Sequence, residues 1–283
     1  DGVQFELVSL VVSGIAPWSG PELGGTVVTL AGSGLASAGE LLCRFGGGGV
    51  VPASAHGTDG LRCVSPSALA VGWSSVELSS FGVSLVSGSS FFVHGRMLVS
   101  ALVPPAGPVR GGTRVAVLGS GFRESATMRC RFESSGATAV ARYVGATQLE
   151  CASPASSGSG ERYVEVSMNG QQFTSSGVSF TYRPAPAVSS VWPVRGASEG
   201  GTPVTVLGSG FSSAAEATGA LLCRFDSLVV AASYVSESAI MCNSTRSSRG
   251  YVSVEVSTNG RDYTSDGVQF ELVSLVVSGI APW

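Results

Sequence analysis

VPPAGPVRGGTRVAVLGSGF, residues Val103 to Phe122, has close counterparts on either side. APWSGPELGGTVVTLAGSGL runs from Ala16 to Leu35, and WPVRGASEGGTPVTVLGSGF from Trp192 to Phe211. Each segment carries a proline, a Gly-Gly-Thr turn, an alternating apolar stretch and a Gly-Ser-Gly. The alternating pairs are Val28 and Leu30, Val115 and Val117, and Val204 and Val206. A period of two marks a β-strand with one buried face. The strand stops at Gly32, Gly119 or Gly208, where a turn needing positive φ suits glycine.

Outward from these segments the order is the same three times. Cys-Arg-Phe comes next, at Cys43, Cys130 and Cys223, with Cys and Phe inward and Arg outward. A second Cys follows at Cys63, Cys151 and Cys242, two residues after Leu61, Leu149 or Ile240. Repeats two and three then contain Val164–Tyr182 and Val254–Leu272, with Asn169-Gly170 and Asn259-Gly260 reading as type I′ hairpin turns. In repeat one Phe81 stands where the turn Asn should be, so a less regular hairpin is expected there, with Phe92 in the place of Phe180. No stretch of eleven residues has helical periodicity. About seven short strands per repeat predict an all-β fold, a tandem array of three immunoglobulin-like β-sandwiches.

DGVQFELVSLVVSGIAPW occupies residues 1–18 and recurs unchanged at 266–283. The expectation is a window on a longer periodic array. Residues 1–7 are read as the closing strand of a preceding repeat and 8–95, 96–184 and 185–272 as the three repeats. Residues 273–283 then begin the next. The links, His94-Gly95-Arg96, Arg183-Pro184-Ala185-Pro186 and, in the last, none beyond Glu271-Leu272, are short, which predicts a semi-rigid rod.

The run P-x-x-G-P-x-x-G-G-T, V-x-V-x-G-x-G-F, C-R-F, C-x-S-P, V-x-V-S-x-N-G and G-V-x-F resembles the IPT/TIG domain. That immunoglobulin-like module occurs in plexin-type and Met-type receptor ectodomains, fibrocystin-like surface proteins and some Rel-type transcription factors. The resemblance spans nearly the whole chain and implies a spacer or interaction module. It does not select a function.

Six cysteines allow fifteen pairings. Repetition selects Cys43–Cys63, Cys130–Cys151 and Cys223–Cys242, the arrangement that extracellular members of the family resemble; buried free thiols are the alternative. Disulfides imply an oxidising compartment and a secreted, extracellular or cell-surface protein. Asn243-Ser244-Thr245 is an N-glycosylation sequon at a position where repeats one and two carry Val64-Ser65-Pro66 and Ala152-Ser153-Pro154, so glycans are expected partners. Trp18, Phe81 and Trp192 are candidate junction or interface residues.

The 283 residues hold 12% charged side chains against a usual ~25%, with a net charge of −3. All sixteen basic residues are Arg. The surface is either neutral and wet or covered by neighbouring chains and glycans. No apolar run reaches the ~18 residues of a membrane span. A phosphate-binding P-loop needs a Lys, and the sequence has none. The Gly-Ser-Gly turns come without a following helix, His56 and His94 share no catalytic or metal spacing, and no calcium loop is present. Asp262 and Asp266 flank a turn. Nucleic-acid binding is disfavoured by the charge. The sequence thus predicts a non-catalytic protein without catalytic residues, cofactor or metal, whose partners are copies of itself, lateral and end-to-end. The leading expectation is a subunit of an extracellular filament or fibril, the alternative a receptor or adhesion stalk.

Overall fold

A computed structural model describes residues 10–35, 40–47, 49–80, 83–132, 137–248 and 250–274, with the backbone only at 83–88. Phe81, residues 1–9 and residues 275–283 lie outside the described residues.

Repeat one holds nine strands: β1 Val11–Ala16, β2 Ser19–Pro21, β3 Val27–Ser33, β4 Leu42–Phe45, β5 Val50–Pro52, β6 Ser54–His56, β7 Gly60–Val64, β8 Gly72–Ser80 and β9 Val83–His94. They form two sheets in the orders β1-β3-β7-β6 and β2-β9-β8-β4-β5. The count exceeds the expected seven because the first strand divides at Pro17 and another divides at Ala53, between β5 and β6; at each division the chain changes sheet. β1 runs antiparallel to β3, whereas β2 runs parallel to β9, with Gly20 opposite Val93. Repeat three keeps the same order, with Ala187–Trp192, Pro203–Ser209, Ala239–Asn243 and Ser233–Ser236 in one sheet and Arg195–Ala197, Gln269–Val273, Tyr251–Ser257, Leu222–Phe225 and Leu228–Ala231 in the other. It adds a five-residue helix, Ser213–Ala217, that the sequence pattern did not announce. In repeat two, Thr138–Gly145 is one strand that pairs with both Arg129–Phe132 and Gln148–Ala152. By contacts the chain divides into two compact units, 1–101 with 117–151 and 164–178, and 102–116 with 152–163 and 179–283.

The alternating residues face inward. Val28, Leu30, Val115, Val117, Val204 and Val206 are all fully buried. Cys43 joins Cys63 across the two sheets of repeat one, Cys130 joins Cys151, and Cys223 joins Cys242. The Gly-Ser-Gly glycines divide their work. The third residue holds the positive φ, at Gly34, Gly121 and Gly210. The first allows close approach, since a Cβ on Gly208 would lie 2.0 Å from the Ala187 carbonyl oxygen.

Phe92 does not keep the place of Phe180. Phe91 is fully buried against Phe45, as Phe270 is against Phe225. A Cβ on Gly20 would meet the Phe91 ring, and one on Gly107 the Phe180 ring. Between equivalent paired ends, Gly72 with Val93 and Gly160 with Tyr182, the hairpin of repeat one is one residue shorter, and this moves the alignment by one residue. Phe92 then faces the other side of the sheet, where it meets Trp18 and Trp73.

The hairpins also differ from expectation. β8 and β9 stay paired as far as Ser80 and Val83 with two register shifts, so repeat one has the long ladder, and the turn expected at Phe81 lies outside the described residues. In repeat two the ladder between Gly160–Ser167 and Ser179–Arg183 ends at Tyr163 and Ser179, and residues 168–178 form a loop. Residues 258–268 do the same in repeat three. Asn169-Gly170 and Asn259-Gly260 therefore sit in loops rather than two-residue turns.

Candidate functional site, the joints between repeats

The loop after Ser167 is organised by two side chains. The Ser167 hydroxyl oxygen accepts the N–H groups of Asn169 and Gly170 at 3.3 and 2.8 Å. Asn169 Oδ1 accepts the N–H groups of Gln171 and Gln172 at 2.9 and 3.1 Å. These are the local side-chain bonds with which Ser and Asn replace a ladder. Gly170 supplies a φ of +74° that a Cβ would strain. Repeat three repeats the construction, with Asn259 Oδ1 accepting from Arg261 and Asp262 at 3.0 and 2.8 Å.

A second anchor fixes each loop to its own sheet. Thr174 Oγ1 accepts the Val166 N–H at 3.0 Å, and Thr264 Oγ1 the Val256 N–H at 3.1 Å. The Arg131 guanidinium lies 4.2 Å from the Phe173 ring centroid, and Arg224 lies 4.2 Å from that of Tyr263. Such pairs contribute roughly 0.5–2 kcal/mol, more as water is excluded. Glu165, 5% exposed, accepts from the Thr174 hydroxyl and, at 3.1 Å, from the Ser176 N–H. Arg224 pairs with Glu255. Burial raises the Tyr263 phenol above its ordinary pKa, against the pull of Arg224.

So held, the loop of repeat two reaches the Gly-Gly-Thr edge of repeat one. Asn169 Nδ2 donates to the Ser19 carbonyl at 3.2 Å, to Thr26 Oγ1 at 3.3 Å and to Gln172 Oε1 at 2.7 Å. Gln171 engages both backbone groups of Val27. Its Oε1 accepts the N–H at 2.9 Å and its Nε2 donates to the carbonyl at 2.9 Å. Gln172 Nε2 donates to the Gly25 carbonyl, and its Oε1 accepts the Thr26 hydroxyl, each at 2.9 Å. The Arg123 guanidinium adds a contact 4.2 Å above the Phe92 ring.

The loop of repeat three meets repeat two at the matching edge. Asn259 Nδ2 donates to the Ala106 carbonyl at 3.2 Å, and the Thr113 hydroxyl donates to Asp262 Oδ2 at 2.6 Å. Arg183 donates to the Ser212 hydroxyl at 3.2 Å. Thr26 and Thr113 are both 0% exposed. Each joint lies within one of the two compact units. The joints are polar, made of amides, hydroxyls, one carboxylate and the guanidinium groups of Arg123 and Arg183.

The predicted site residues fall in different places. The six cysteines are paired inside the three cores. Asn243 ends a strand and is exposed. Trp18 stacks on Trp73 of its own repeat, with centroids 5.7 Å apart. Trp192 is 72% exposed and is not covered by the described residues. Phe81 lies outside the described residues. His94 ends β9 buried, with Nδ1 at 2.9 Å from the Gly95 carbonyl, and burial lowers its pKa. Sequence reasoning missed Asn169, Gln171, Gln172, Asn259 and Asp262 as joint residues. A usable signal existed, the Ser-x-Asn-Gly-x-(Gln/Asp) shared by repeats two and three and absent from repeat one. Among the described residues no group of three or more His, Cys, Asp or Glu could hold a metal, and no helix is long and apolar enough to cross a membrane.

Three β-sandwiches, each with its own disulfide, define a modular protein of tandem immunoglobulin-like domains. The IPT/TIG domain model matches residues 10–93, 97–182 and 186–272, so the chain belongs to the IPT/TIG family. Human Fibrocystin-L is 37% identical over 115 residues, which is 38% of this chain and 3% of that protein. A structure of the full extracellular region of Plexin A4, domains 1 to 10, superposes with a TM-score of 0.50 at 17% identity, covering 83% of this chain and 21% of that one. A second Plexin A4 extracellular structure gives 0.40 at 17% identity, covering 93% and 33%. The chain thus spans a small part of each relative.

Proposed function

We propose that this chain is a non-catalytic structural protein, a tandem-repeat subunit of an extracellular filament or fibril. The observation that carries the reading is the joint. Both junctions between repeats use one device, an Asn-bearing loop closed on the preceding Gly-Gly-Thr edge. A shared device at both joints suits a tandem array, and the unchanged recurrence of 18 residues at 266–283 supports a longer periodic one. Three disulfides support an extracellular setting. Low surface charge suits lateral contact between copies. Negative-stain electron microscopy of the native material tests this. Fibres with an axial repeat on the order of 100 Å, three sandwiches of ~30–40 Å each, are expected; dispersed single particles at all concentrations would overturn it.

A second reading is the stalk of a cell-surface receptor or adhesion ectodomain. The likeness to the extracellular region of Plexin A4 favours it. A membrane-spanning segment followed by a cytoplasmic domain in the full gene would decide for the stalk.

A further inference from the structure

The Gly-Gly-Thr edge of repeat three is built differently from the other two. On repeat one it reads Gly24-Gly25-Thr26-Val27 and on repeat two Gly111-Gly112-Thr113-Arg114. On repeat three it is Gly200-Gly201-Thr202-Pro203. Pro203 has no N–H where Val27 donates one to Gln171. Ala197 stands where Pro21 and Pro108 stand, and its N–H donates to Thr202 Oγ1 at 3.2 Å. The hydroxyl oxygen that accepts Asn169 Nδ2 on repeat one is thus occupied on repeat three by a bond within its own repeat.

The sequence's one Asn-x-Ser/Thr triplet lies on this edge. Asn243 is directly across the ladder from Pro203, as exposed Val64 is from Val27. Ser244 pins the triplet down. Its Oγ accepts the Thr202 N–H at 3.1 Å, its N–H donates to the Thr202 carbonyl at 2.8 Å, and its carbonyl accepts the Gly201 N–H at 2.8 Å. Asn243 itself stays exposed.

We propose that Asn243 is an N-glycan acceptor and that its glycan lies over Gly200–Pro203, capping on repeat three the edge that repeats one and two use for docking. The proposal rests on the reading of the loops as inter-repeat grips in an extracellular protein. A bulky, solvated sugar beside Pro203 excludes a Gln171-type side chain from the strand end. Every third junction then lacks the grip seen at the other two, so the array carries a periodic point of lower cohesion, screened from neighbouring copies by sugar.

The full chain, secreted from a eukaryotic host, tests this. Glycopeptide mass spectrometry of the peptide spanning Asn243 should find it occupied. Hydroxyl-radical footprinting before and after enzymatic removal of the glycan from the folded protein should show labelling of residues 199–203 rising roughly twofold or more, as expected when a bulky surface group is taken away. Labelling of residues 111–114, under the Asn259 loop, should not change. An unmodified Asn243, or equal labelling of 199–203 before and after, overturns the proposal. Fibres with unmodified Asn243 would refute the cap and leave the filament reading standing; a capped but always dispersed chain would do the reverse.

Discussion

Asn169 is 6% exposed and satisfies six groups at once, four of them in its own loop backbone and side chains and two on the neighbouring edge. Replacing it with Ala leaves the Ser19 carbonyl and two loop N–H groups without that partner, at a cost of roughly 1–3 kcal/mol. Urea unfolding of Asn169→Ala should show this loss, and hydrogen exchange should quicken in residues 168–178. Tyr182 offers a titration test. Burial pushes its phenol up to about 12, while its hydroxyl donates to the Pro154 carbonyl at 2.8 Å. Because the raised pKa belongs to the neutral acid, the stability it contributes is intact below about pH 10 and fades as pH rises toward about 12. Absorbance at 295 nm should show one phenol ionising near pH 12, and Tyr182→Phe should remove that late step. At this scale the sequence misled in one instructive way. Asn-Gly carries the same local signal whether it closes a two-residue hairpin or caps a loop, and the deciding bonds, to Ser19 and Thr26, lie far away in sequence.

Among elements, the strands were the most readable part, because burial on one face leaves alternation in the sequence. Val28 and Leu30, Cys43 and Phe45 all face as the period of two requires. The one-residue shortening of the β8–β9 hairpin was not readable, and it exchanged Phe91 for Phe92. The split of the first strand at Pro17 was hidden for a similar reason: a proline marks a break but not the sheet to which the chain returns. Each core is closed by a bond between its two sheets. The Cys223→Ser/Cys242→Ser double variant should lose ~3 kcal/mol for a loop of about 20 residues, seen as a lower urea midpoint. Gly208→Ala should cost roughly 1–3 kcal/mol by forcing the backbone of Ala187 away.

Over the whole molecule, two joints built alike but 90 residues apart should act independently. The stability losses of Asn169→Ala and Asn259→Ala are expected to add within about 0.5 kcal/mol in the double variant. A larger loss would mean that the two joints cooperate through repeat two. The joints differ in strength of grip: Gln171 and Gln172 add four bonds to the first, whereas Asp262 adds one to the second. Asn169→Ala should therefore leave more residual protection at its joint than Asn259→Ala does, measured by hydrogen exchange at residues 25–27 against 112–114.

The direction of the grip also sets an order in time. In both joints the loop belongs to the later repeat and the edge to the earlier one. A chain made from its N-terminus folds domain by domain in that order. Each Gly-Gly-Thr edge is therefore already formed when the loop that closes on it emerges. Repeats one and two each offer a finished surface to the repeat that follows, and closure of the two joints runs one way along the chain, like a zip that can be drawn only from its first tooth.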